Sequence, residues 1–427
     1  MKRFTAPLLI VFLFTFQVFA SADQLRQKLE SMDAITEIEQ LYSSYYAEKY
    51  VVKIKQLLNP KDSSAGTFTQ RVIINHTGFD CPTVLVTEGY GASYALRDNY
   101  QEELSRLFHT NVITVEHRYF MDSAPTQPNW DYLTAENAAY DLHHITTLFK
   151  AIYPEKWIST GISKGGQTTL LYRAFFPDDV DFSVPYVAPW NKALEDGRHE
   201  DFLHRVGTKK ERKQIETFQK TILKKRDEII PFLDVYCKER GLEFSIPLNE
   251  VLDFMVLEYP FAFWQWGTSV SAIPSRASNT RMLFDHLIDV SNPDYFADNP
   301  IFYPFNIQAA RELGYYGYDI EPLRDLLYIK SSKGYFNRVM LKGSVKIDYD
   351  TTLYYKVKSF WEQNDPKMIF IYGEIDPWTA SRIPNLKGKK NLQIYIQPRG
   401  SHRTRIDTMP EAMRTKIINQ INQWLAE

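Results

Sequence analysis

The sequence predicts an α/β fold in which helices cover both faces of a mostly parallel sheet and an inserted, mainly helical cap lies above it. Three observations support this fold class. Short apolar, β-branched runs alternate with helical patterns up to about residue 190. A charged, helix-rich stretch then interrupts the alternation. Strand-like runs return only near the end, at Met368–Tyr372 and Leu392–Gln397.

The composition is that of a globular protein with a sizeable core. The chain has 427 residues, of which 44% are hydrophobic and 24% are charged. Its formal net charge of −2 provides no long-range attraction for nucleic acid or for an anionic membrane surface, so nucleic acid is not an expected partner. Cys81 and Cys237 are the only cysteines, and they are compatible with one disulfide or with two buried thiols.

Residues 1–22 have the pattern of a secretory signal peptide. Lys2 and Arg3 precede an apolar run over residues 6–20, and Ala20–Ala22 supplies the small residues of a cleavage site. The run is shorter than the roughly 20 apolar residues of a membrane span, and no other segment qualifies as one. We therefore expect a secreted or periplasmic protein whose mature chain begins near Asp23 and has no membrane span.

Residues 23–190 are predicted to form the first part of the sheet domain. A leading helix and then an extended segment are expected over Gln24–Leu58, because apolar residues there recur at helical spacing around charged ones. Strands and helices alternate after that point. The predicted strands are Arg71–Asn75, Thr83–Thr87, Val112–Glu116 and Lys156–Thr160, and the predicted helices are Ala95–Phe108, Thr134–Ile152 and Gln167–Phe176.

Residues 191–360 are predicted to form the cap, and residues 361–427 the second part of the sheet domain. The charge-rich stretches within Ala193–Gly241 keep apolar residues at helical spacing, so their charges are most simply the solvated faces of helices. Two strand–helix–strand units would leave on the order of 130 residues unused before the next strand, enough for a cap. A final helix is expected over Thr408–Leu425, with Thr408 and Glu411 spaced as a capping box.

A glycine-rich turn follows the predicted strand Lys156–Thr160. It reads GISKGG over residues 161–166, a GxSxG pattern that presents a nucleophile, here Ser163, between a strand and a helix. Gly161 and Gly165 would let backbone pass close to this serine, and the next glycine, Gly166, would let the helix pack on the strand.

An oxyanion formed at Ser163 would need two N–H donors. The main-chain N–H of Lys164, the residue after the serine, is predicted to be one of them. The other is expected from the loop VTEGYGA, where either Gly89 or Tyr90 could donate.

A serine hydroxyl also needs a base and a group that orients the base. Asp376 follows Met368–Tyr372 and His402 follows Leu392–Gln397, so each lies at the carboxyl end of a predicted strand. A lone aspartate or histidine would more often have a structural role, but here the strand ends, the turn and the chain order agree. The order Ser163, Asp376, His402 is that of α/β-hydrolases, and we predict that these three residues are catalytic.

No sequence motif for a metal or cofactor accompanies these residues. HExxH, GxxxxGK[ST] and GxGxxG are absent, and the adjacent His143 and His144 would point about 100° apart on a helix. We therefore expect the chemistry to need no metal and no cofactor.

Six motifs occur along the chain in the order TEGYG, EHRYF, NWDYLTAENAAYDL, STGISKGG, YGEIDPW and GSH. In order and approximate spacing they resemble the secreted serine aminopeptidases that release proline-ended tri- and tetrapeptides, over about residues 60–425. The chain is more distantly similar to the lysosomal prolylcarboxypeptidase and dipeptidyl-peptidase group. The resemblance implies an α/β-hydrolase fold with a helical cap, catalytic roles for Ser163, Asp376 and His402, and a peptide substrate with a free N-terminus.

Recognition of a substrate's terminal ammonium requires a carboxylate held at a fixed distance from the catalytic serine. Glu88, within the oxyanion loop, and Glu258 are the candidates, and a structural hydrogen bond within the loop is the alternative for Glu88. Several aromatic residues could form a slot for a proline ring, with ordinary cap core as the alternative for those between 261 and 266. They are Phe261, Phe263, Trp264, Trp266 and Trp378.

Glu116 and Arg118 of the EHRYF motif are predicted to form a buried ion pair that braces the site. Charged groups at the end of a central strand must be neutralised, and these two lie close together in the sequence.

Three classes of function fit these features. The first is a secreted or periplasmic serine aminopeptidase that removes tri- or tetrapeptides, with proline before the scissile bond, through an acyl-enzyme. The second is a carboxylesterase or lipase on the same scaffold. The third is a non-enzymatic binding protein on an inactive hydrolase scaffold, which would show a lost catalytic residue, and none is lost. The sequence does not determine the oligomeric state.

Overall fold

The structure is a computed structural model that describes residues 24–341, 346–385 and 387–427, so the predicted signal peptide lies outside the described residues. Within these ranges the chain forms a nine-stranded sheet. The strands are β1 (Ile35–Leu41), β2 (Glu48–Leu57), β3 (Thr67–His76), β4 (Thr83–Thr87), β5 (Asn111–Val115), β6 (Trp157–Ile162), β7 (Phe182–Tyr186), β8 (Met368–Gly373) and β9 (Leu392–Gln397).

The sheet has an antiparallel edge and a parallel body. Its strand order is β1-β2-β3-β5-β4-β6-β7-β8-β9. The pairs β1–β2, β2–β3 and β3–β5 are antiparallel, and every later pair, from β4–β5 to β8–β9, is parallel. This order, with crossover helices between the parallel strands, is that of an α/β-hydrolase, and the predicted fold class is confirmed.

Helices alternate with the parallel strands and fill the long connection between β7 and β8. Residues 24–30 form α1. The others in the described part of the chain are α2 (Glu103–Phe108), α3 (Ala135–Lys150), α4 (Lys164–Phe175), α5 (Arg198–Leu203), α6 (Lys209–Lys224), α7 (Arg226–Arg240), α8 (Leu248–Trp266), α9 (Thr280–Val290), α10 (Tyr303–Gln308), α11 (Thr352–Gln363) and α12 (Glu411–Ala426).

The helices cover both faces of the sheet. On one face, Leu142 and Phe149 of α3 pack in a buried cluster with Val52 and Val72 of the antiparallel strands. On the other face, α2 and α12 pack in a cluster with β4, β6 and β7, in which Ile421 of α12 is fully buried. Both faces are therefore apolar, which explains why the parallel strands read as continuous apolar runs in the sequence.

The segment between β7 and β8 has its own hydrophobic core. Helices α6, α7, α8 and α9 contribute to a large buried cluster that also includes Tyr315, Tyr316 and Trp378. Helix α11, by contrast, packs on the sheet, in a cluster with residues of α4 and β8. The division of the chain at residues 191 and 361 stays a prediction. No helix within the described ranges combines the length and the hydrophobicity needed to cross a bilayer.

Two predicted helices differ from the structure. The helix expected over Ala95–Phe108 is α-helical only in α2, because the side chain of Glu102 accepts a hydrogen bond from Ser105 N and caps the helix there. The capping box expected at Thr408 is wrong: Pro410 is the N-cap of α12, and the Thr408 hydroxyl donates to Gln397 Oε1 at 2.7 Å. A proline disfavours helical backbone in the residue before it, so the helix begins after Pro410.

The two cysteines are free. Cys81 is partly exposed near the start of β4, and Cys237 is buried in α7 within the core of the cap. The structure therefore has two thiols instead of a disulfide, but of the two predicted buried thiols only Cys237 is buried.

Candidate active site

Ser163 occupies a sharp turn between β6 and α4. Its backbone has φ 59° and ψ −120°, a conformation that a residue with a side chain rarely adopts. Two backbone hydrogen bonds hold the turn, from Ser163 N to Tyr186 O at 2.9 Å and from Gln167 N to Ser163 O at 2.8 Å. A Cβ on Gly161 would lie 2.4 Å from the carbonyl carbon of Gly165, so only glycine fits where the two arms of the turn meet. This is the strand–turn–helix context that the GxSxG pattern predicts.

Asp376 and His402 are joined by a buried hydrogen bond. His402 Nδ1 and Asp376 Oδ2 lie 2.7 Å apart, and the two side chains are 5% and 0% exposed. Asp376 also accepts a hydrogen bond from Trp378 N at 3.2 Å, which fixes the carboxylate at the end of β8. The bond at Nδ1 leaves Nε2 of the imidazole for a partner on the opposite side of the ring.

Ser163 and His402 both follow parallel strands at the carboxyl edge of the sheet. Trp266, at the end of α8, lines a cavity together with Ser163, and its ring centroid is 5.7 Å from that of His402, which does not itself line that cavity. Among the described residues, no side-chain hydrogen bond involves the Ser163 hydroxyl. Within the same ranges the only side-chain hydrogen bond of the His402 ring is that of Nδ1, and catalytic hydrogen bonds are often long or poorly aligned when no substrate is bound.

The cavity beside Ser163 has a volume of about 430 Å³ and lies between the sheet domain and the cap. Its lining includes Lys164 and Tyr90, the predicted oxyanion region, and Glu258 and Trp378, both predicted as substrate-binding residues. This volume is within the range of about 300–1,000 Å³ that small-ligand sites occupy.

Glu258, on α8, is a buried carboxylate in the wall of this cavity. It is 6% exposed, and its Oε2 accepts hydrogen bonds from the hydroxyls of Tyr316 and Tyr318, each at 2.9 Å. Burial raises the pKa of Glu258 to about 8, although both tyrosine hydrogen bonds favour the charged form. Among the described residues the hydrogen bonds of Glu258 come from tyrosine hydroxyls and not from a cationic side chain, so the carboxyl group is available to a cation that enters the cavity.

Glu88 has a different environment from Glu258. Its carboxylate accepts a hydrogen bond from the hydroxyl of Tyr94, and Glu88 is not among the residues that line the cavity. Burial raises the pKa of Glu88 to about 7. The hydrogen bonds from Tyr94 and from the Gly89 N–H, and the charge of Lys164, lower this pKa but do not cancel the effect of burial. These contacts favour the structural alternative for Glu88, a hydrogen bond within the loop.

The aromatic residues predicted as a slot separate into two groups. Trp266 and Trp378 line the cavity, and Phe261 stacks on the cavity residue Tyr316 with ring centroids 3.7 Å apart. Phe263 and Trp264 are instead buried in the core of the cap, and Trp264 lines a second cavity on another face of α8. The core alternative thus describes Phe263 and Trp264.

Several residues of the cavity were missed by the sequence predictions. Asp294 and Tyr295 follow α9, Phe305 lies in α10, and Phe302 and Tyr315 lie before and after that helix. The tyrosines and prolines clustered around residues 303–318 were the available signal, but aromatic residues at helical spacing are equally typical of a core.

The predicted ion pair between Glu116 and Arg118 is wrong. Glu116 pairs with Arg71 on β3, and Arg118 forms a two-pronged interaction with Asp141 of α3, with Nε–Oδ2 and Nη2–Oδ1 distances of 2.7 Å each. In a continuing strand these two residues would share a face, but β5 ends at Val115 and the chain turns at Arg118 and Tyr119, so the two side chains reach different elements. Each charge is still neutralised, by a partner from another element.

Within the described residues, no group of three or more histidine, cysteine, aspartate or glutamate side chains is arranged to hold a metal ion.

The sheet order, the strained serine after β6 and the Asp–His pair after β8 and β9 define the class of α/β-hydrolases. The chain belongs to the PS-10 peptidase S37 family, whose sequence profile matches residues 20–426. It is therefore a serine peptidase.

Individual relatives agree with this family. The chain is 28% identical over 397 residues to the prolyl tri/tetrapeptidyl aminopeptidase of Streptomyces mobaraensis, covering 89% of this chain and 81% of the relative. A shorter match, 26% identical over 113 residues, covers 23% of this chain and 23% of the probable serine protease EDA2 of Arabidopsis thaliana.

Solved structures with a similar arrangement include the proline iminopeptidase of Mycobacterium smegmatis, with a TM-score of 0.40 and 11% identity. That match covers 91% of this chain and 99% of the other. The structure of Rv0554 from Mycobacterium tuberculosis has a TM-score of 0.41 and 12% identity, with 87% and 98% of the two chains covered.

Proposed function

We propose that this peptidase is a secreted or periplasmic aminopeptidase that removes tri- or tetrapeptides from free N-termini, with proline before the scissile bond. The observation that carries the proposal is the cavity that contains both Ser163 and the buried carboxylate of Glu258. A cavity with the nucleophile and a carboxylate in its wall suits a short peptide bound by its terminal ammonium.

The proposed reaction begins with Ser163. His402 takes the proton of the hydroxyl as Oγ attacks the peptide carbonyl carbon, and Asp376 holds the imidazole through the 2.7 Å hydrogen bond. The main-chain N–H of Lys164 and one N–H of the loop at Gly89 and Tyr90 stabilise the oxyanion. His402 then protonates the leaving amine, and water attacks the acyl-enzyme by the same route in reverse.

Glu258 is the proposed anchor for the terminal ammonium. Its two tyrosine hydrogen bonds, from Tyr316 and Tyr318, hold the carboxylate in one orientation. Because the carboxylate is buried, an ammonium beside it would form a charge-assisted hydrogen bond in a site of low dielectric constant. A substrate whose amine is acylated lacks this charge and would leave the carboxylate unpaired.

The preference for proline and for a short product is proposed from the cavity lining and from the relatives. The rings of Trp266 and Trp378 line the cavity and offer flat apolar faces to a pyrrolidine ring. The Streptomyces relative, which is 28% identical to this chain, is named a prolyl tri/tetrapeptidyl aminopeptidase. Secretion rests on the basic and apolar pattern of residues 1–22.

The test compares two fluorogenic tripeptide amides that end in proline, one with a free amine and one N-acetylated. The purified protein should cleave the first, and Ser163→Ala should lower its kcat by about 10⁴-fold or more. Equal turnover of the acetylated substrate would refute the aminopeptidase assignment. Turnover of p-nitrophenyl esters without any cleavage of peptide amides would favour an esterase instead.

A separate experiment tests localisation. The proposal predicts that the chain expressed with its own N-terminus in a bacterium is recovered outside the cytoplasm and begins near Asp23 when sequenced. Recovery of the uncut chain in the cytoplasmic fraction would contradict it.

A further inference from the structure

The side chain of Lys164 connects the turn of Ser163 with the loop Glu88–Tyr90. Lys164 is 3% exposed, and its Nζ donates a hydrogen bond to Gly89 O at 2.6 Å. The contact is tight, because a Cβ on Gly89 would lie 2.6 Å from the Cβ of Lys164. The lysine thus spans the two segments that are predicted to supply the oxyanion donors.

The hydrogen bond to Gly89 O determines the direction of the next N–H group. The peptide bond between Gly89 and Tyr90 is trans, and in a planar trans peptide the N–H points away from the C=O. Holding the Gly89 carbonyl against Lys164 therefore turns the Tyr90 N–H away from the lysine side chain. The following carbonyl is also held, since Tyr90 O accepts a hydrogen bond from His117 N at 3.1 Å.

The ammonium of Lys164 has charged and aromatic neighbours on several sides. It lies 5.5 Å from the ring centroid of Tyr90 and 5.3 Å from that of Phe120. Burial lowers the pKa of Lys164 to about 7, and the carboxylates of Glu88 and Glu312 act in the opposite direction. The two carboxylates and the two ring faces therefore offset part of the cost of burying this cation.

We propose that the Lys164 side chain is a positioning residue of the oxyanion hole, which orients and polarises the Gly89–Tyr90 peptide so that the Tyr90 N–H is the second donor. This inference rests on the proposed function, because an oxyanion forms only if Ser163 attacks a carbonyl. A donor at a carbonyl oxygen strengthens the N–H of the same peptide unit, and the effect is larger in a buried site. The N–H of Gly89, in contrast, stabilises the carboxylate of Glu88.

The test compares Lys164→Met, Lys164→Arg and a control, Lys356→Met. Lys356 also places its ammonium over an aromatic ring, 4.1 Å from the centroid of Phe175, but at the surface and away from the site. Loss of one oxyanion donor typically lowers kcat by about 10²–10³-fold. Lys164→Met misorients a donor, so we expect it to lower kcat about 10- to 100-fold with KM nearly unchanged. Lys164→Arg should recover most of that loss in kcat. Lys356→Met should have the kcat and KM of the wild type.

Inhibitor binding separates positioning from general structural damage. A peptide aldehyde adds to Ser163 Oγ and converts its carbonyl oxygen into an oxyanion, whereas the tripeptide product binds without one. Lys164→Met should weaken aldehyde binding by the same factor as kcat and leave product binding unchanged. Equal weakening of both ligands, or of neither, would overturn the proposal.

Two further outcomes are distinguishable. If Lys164→Met does not fold, Lys164→Arg decides: a folded arginine variant that loses the selectivity for aldehyde over product contradicts the role of a cationic donor at Gly89 O. If the wild-type protein neither cleaves peptides nor reacts with a fluorophosphonate, the proposed function itself fails, independently of Lys164.

Discussion

Replacing Glu258 with glutamine removes a group that can become negatively charged beside a bound ammonium, and it changes the shape of the cavity wall little. Glutamine has the same shape as glutamate and keeps a carbonyl oxygen that can accept from the hydroxyl of Tyr316 or Tyr318, both now 2.9 Å from Oε2. If Glu258 binds the substrate ammonium, the variant loses the charge partner but not the packing of the cap. The effect should therefore be confined to substrates with a free amine.

The expected magnitude follows from the burial of Glu258, which is 6% exposed. A hydrogen bond to a charged group contributes about 1.5–3 kcal/mol, more than a neutral one. At about 1.4 kcal/mol for each factor of ten, this corresponds to a loss of roughly 10- to 150-fold in kcat/KM for the free-amine substrate. The N-acetylated substrate, which has no ammonium, should be cleaved equally slowly by both proteins.

The same residue predicts how binding depends on pH. The pKa of Glu258 is raised to about 8, so in the empty cavity the carboxyl is mostly protonated at pH 7. Ammonium binding favours the carboxylate, so a proton is released and affinity rises with pH, by about tenfold per unit well below the pKa. Between pH 6 and 7 the inhibition constant of the tripeptide product should fall by about that factor. Above about pH 8 the terminal ammonium itself loses its proton and the trend ends.

The assay is product inhibition from pH 6 to pH 8, together with calorimetry in two buffers of different ionisation enthalpy to count the protons released. Glu258→Gln should abolish both the proton release and the pH dependence. Glu250→Gln, on the same helix but paired with Arg338 at the surface, is the matched control and should behave as the wild type. A Glu258→Gln variant that keeps the free-amine preference and the pH dependence would refute the reasoning.

Three other substitutions test separate parts of the structure. Asp376→Asn should lower kcat by about 10⁴-fold with the fold intact, because the amide cannot hold the imidazole in the required tautomer, and a loss below tenfold in steady-state kinetics would contradict this role. Gly161→Ala should destabilise the fold by about 1–3 kcal/mol or more, because the alanine Cβ would lie 2.4 Å from the backbone of Gly165. An unchanged midpoint of thermal unfolding would exclude this clash. Glu116→Ala should cost about 1–3 kcal/mol in denaturant unfolding, because Arg71 loses its buried partner and keeps only the more exposed Asp122, and a cost below about 0.5 kcal/mol would show that Asp122 alone is sufficient.

Local sequence patterns were sufficient for the sheet domain and for the turn of Ser163. Parallel strands covered on both faces are buried along their length, and β4 and β8 accordingly read as mostly apolar runs. The turn depends on residues that are neighbours in the chain, with glycine where two backbones touch. Asp376 and His402 could be predicted to lie together because the carboxyl ends of parallel strands meet at one edge of the sheet. In the structure, Asp376 Oδ2 and His402 Nδ1 are 2.7 Å apart.

Patterns of the same kind were misleading where a contact comes from a distant part of the chain. Glu116 and Arg118 are two residues apart in the sequence, yet their partners are Arg71 and Asp141, on other elements of the fold. The predicted start of the last helix is wrong for a similar reason. The hydroxyl of Thr408 donates a hydrogen bond to Gln397 and does not cap α12.

The sequence by itself determined the fold class, the strained serine and the order of its two partners, because short-range sterics and strand polarity leave few alternatives. Only the tertiary structure decided which of two carboxylates faces the cavity and which aromatic rings surround it. In the sequence, Glu88 and Glu258 are equally suitable candidates for the carboxylate that binds the ammonium. In the structure, Glu88 bonds to Tyr94 in its own loop, whereas Glu258 lies in the cavity wall. Which face of α8 meets the substrate depends on how the cap packs over the sheet, and that packing is the sum of many weak apolar contacts among residues far apart in sequence.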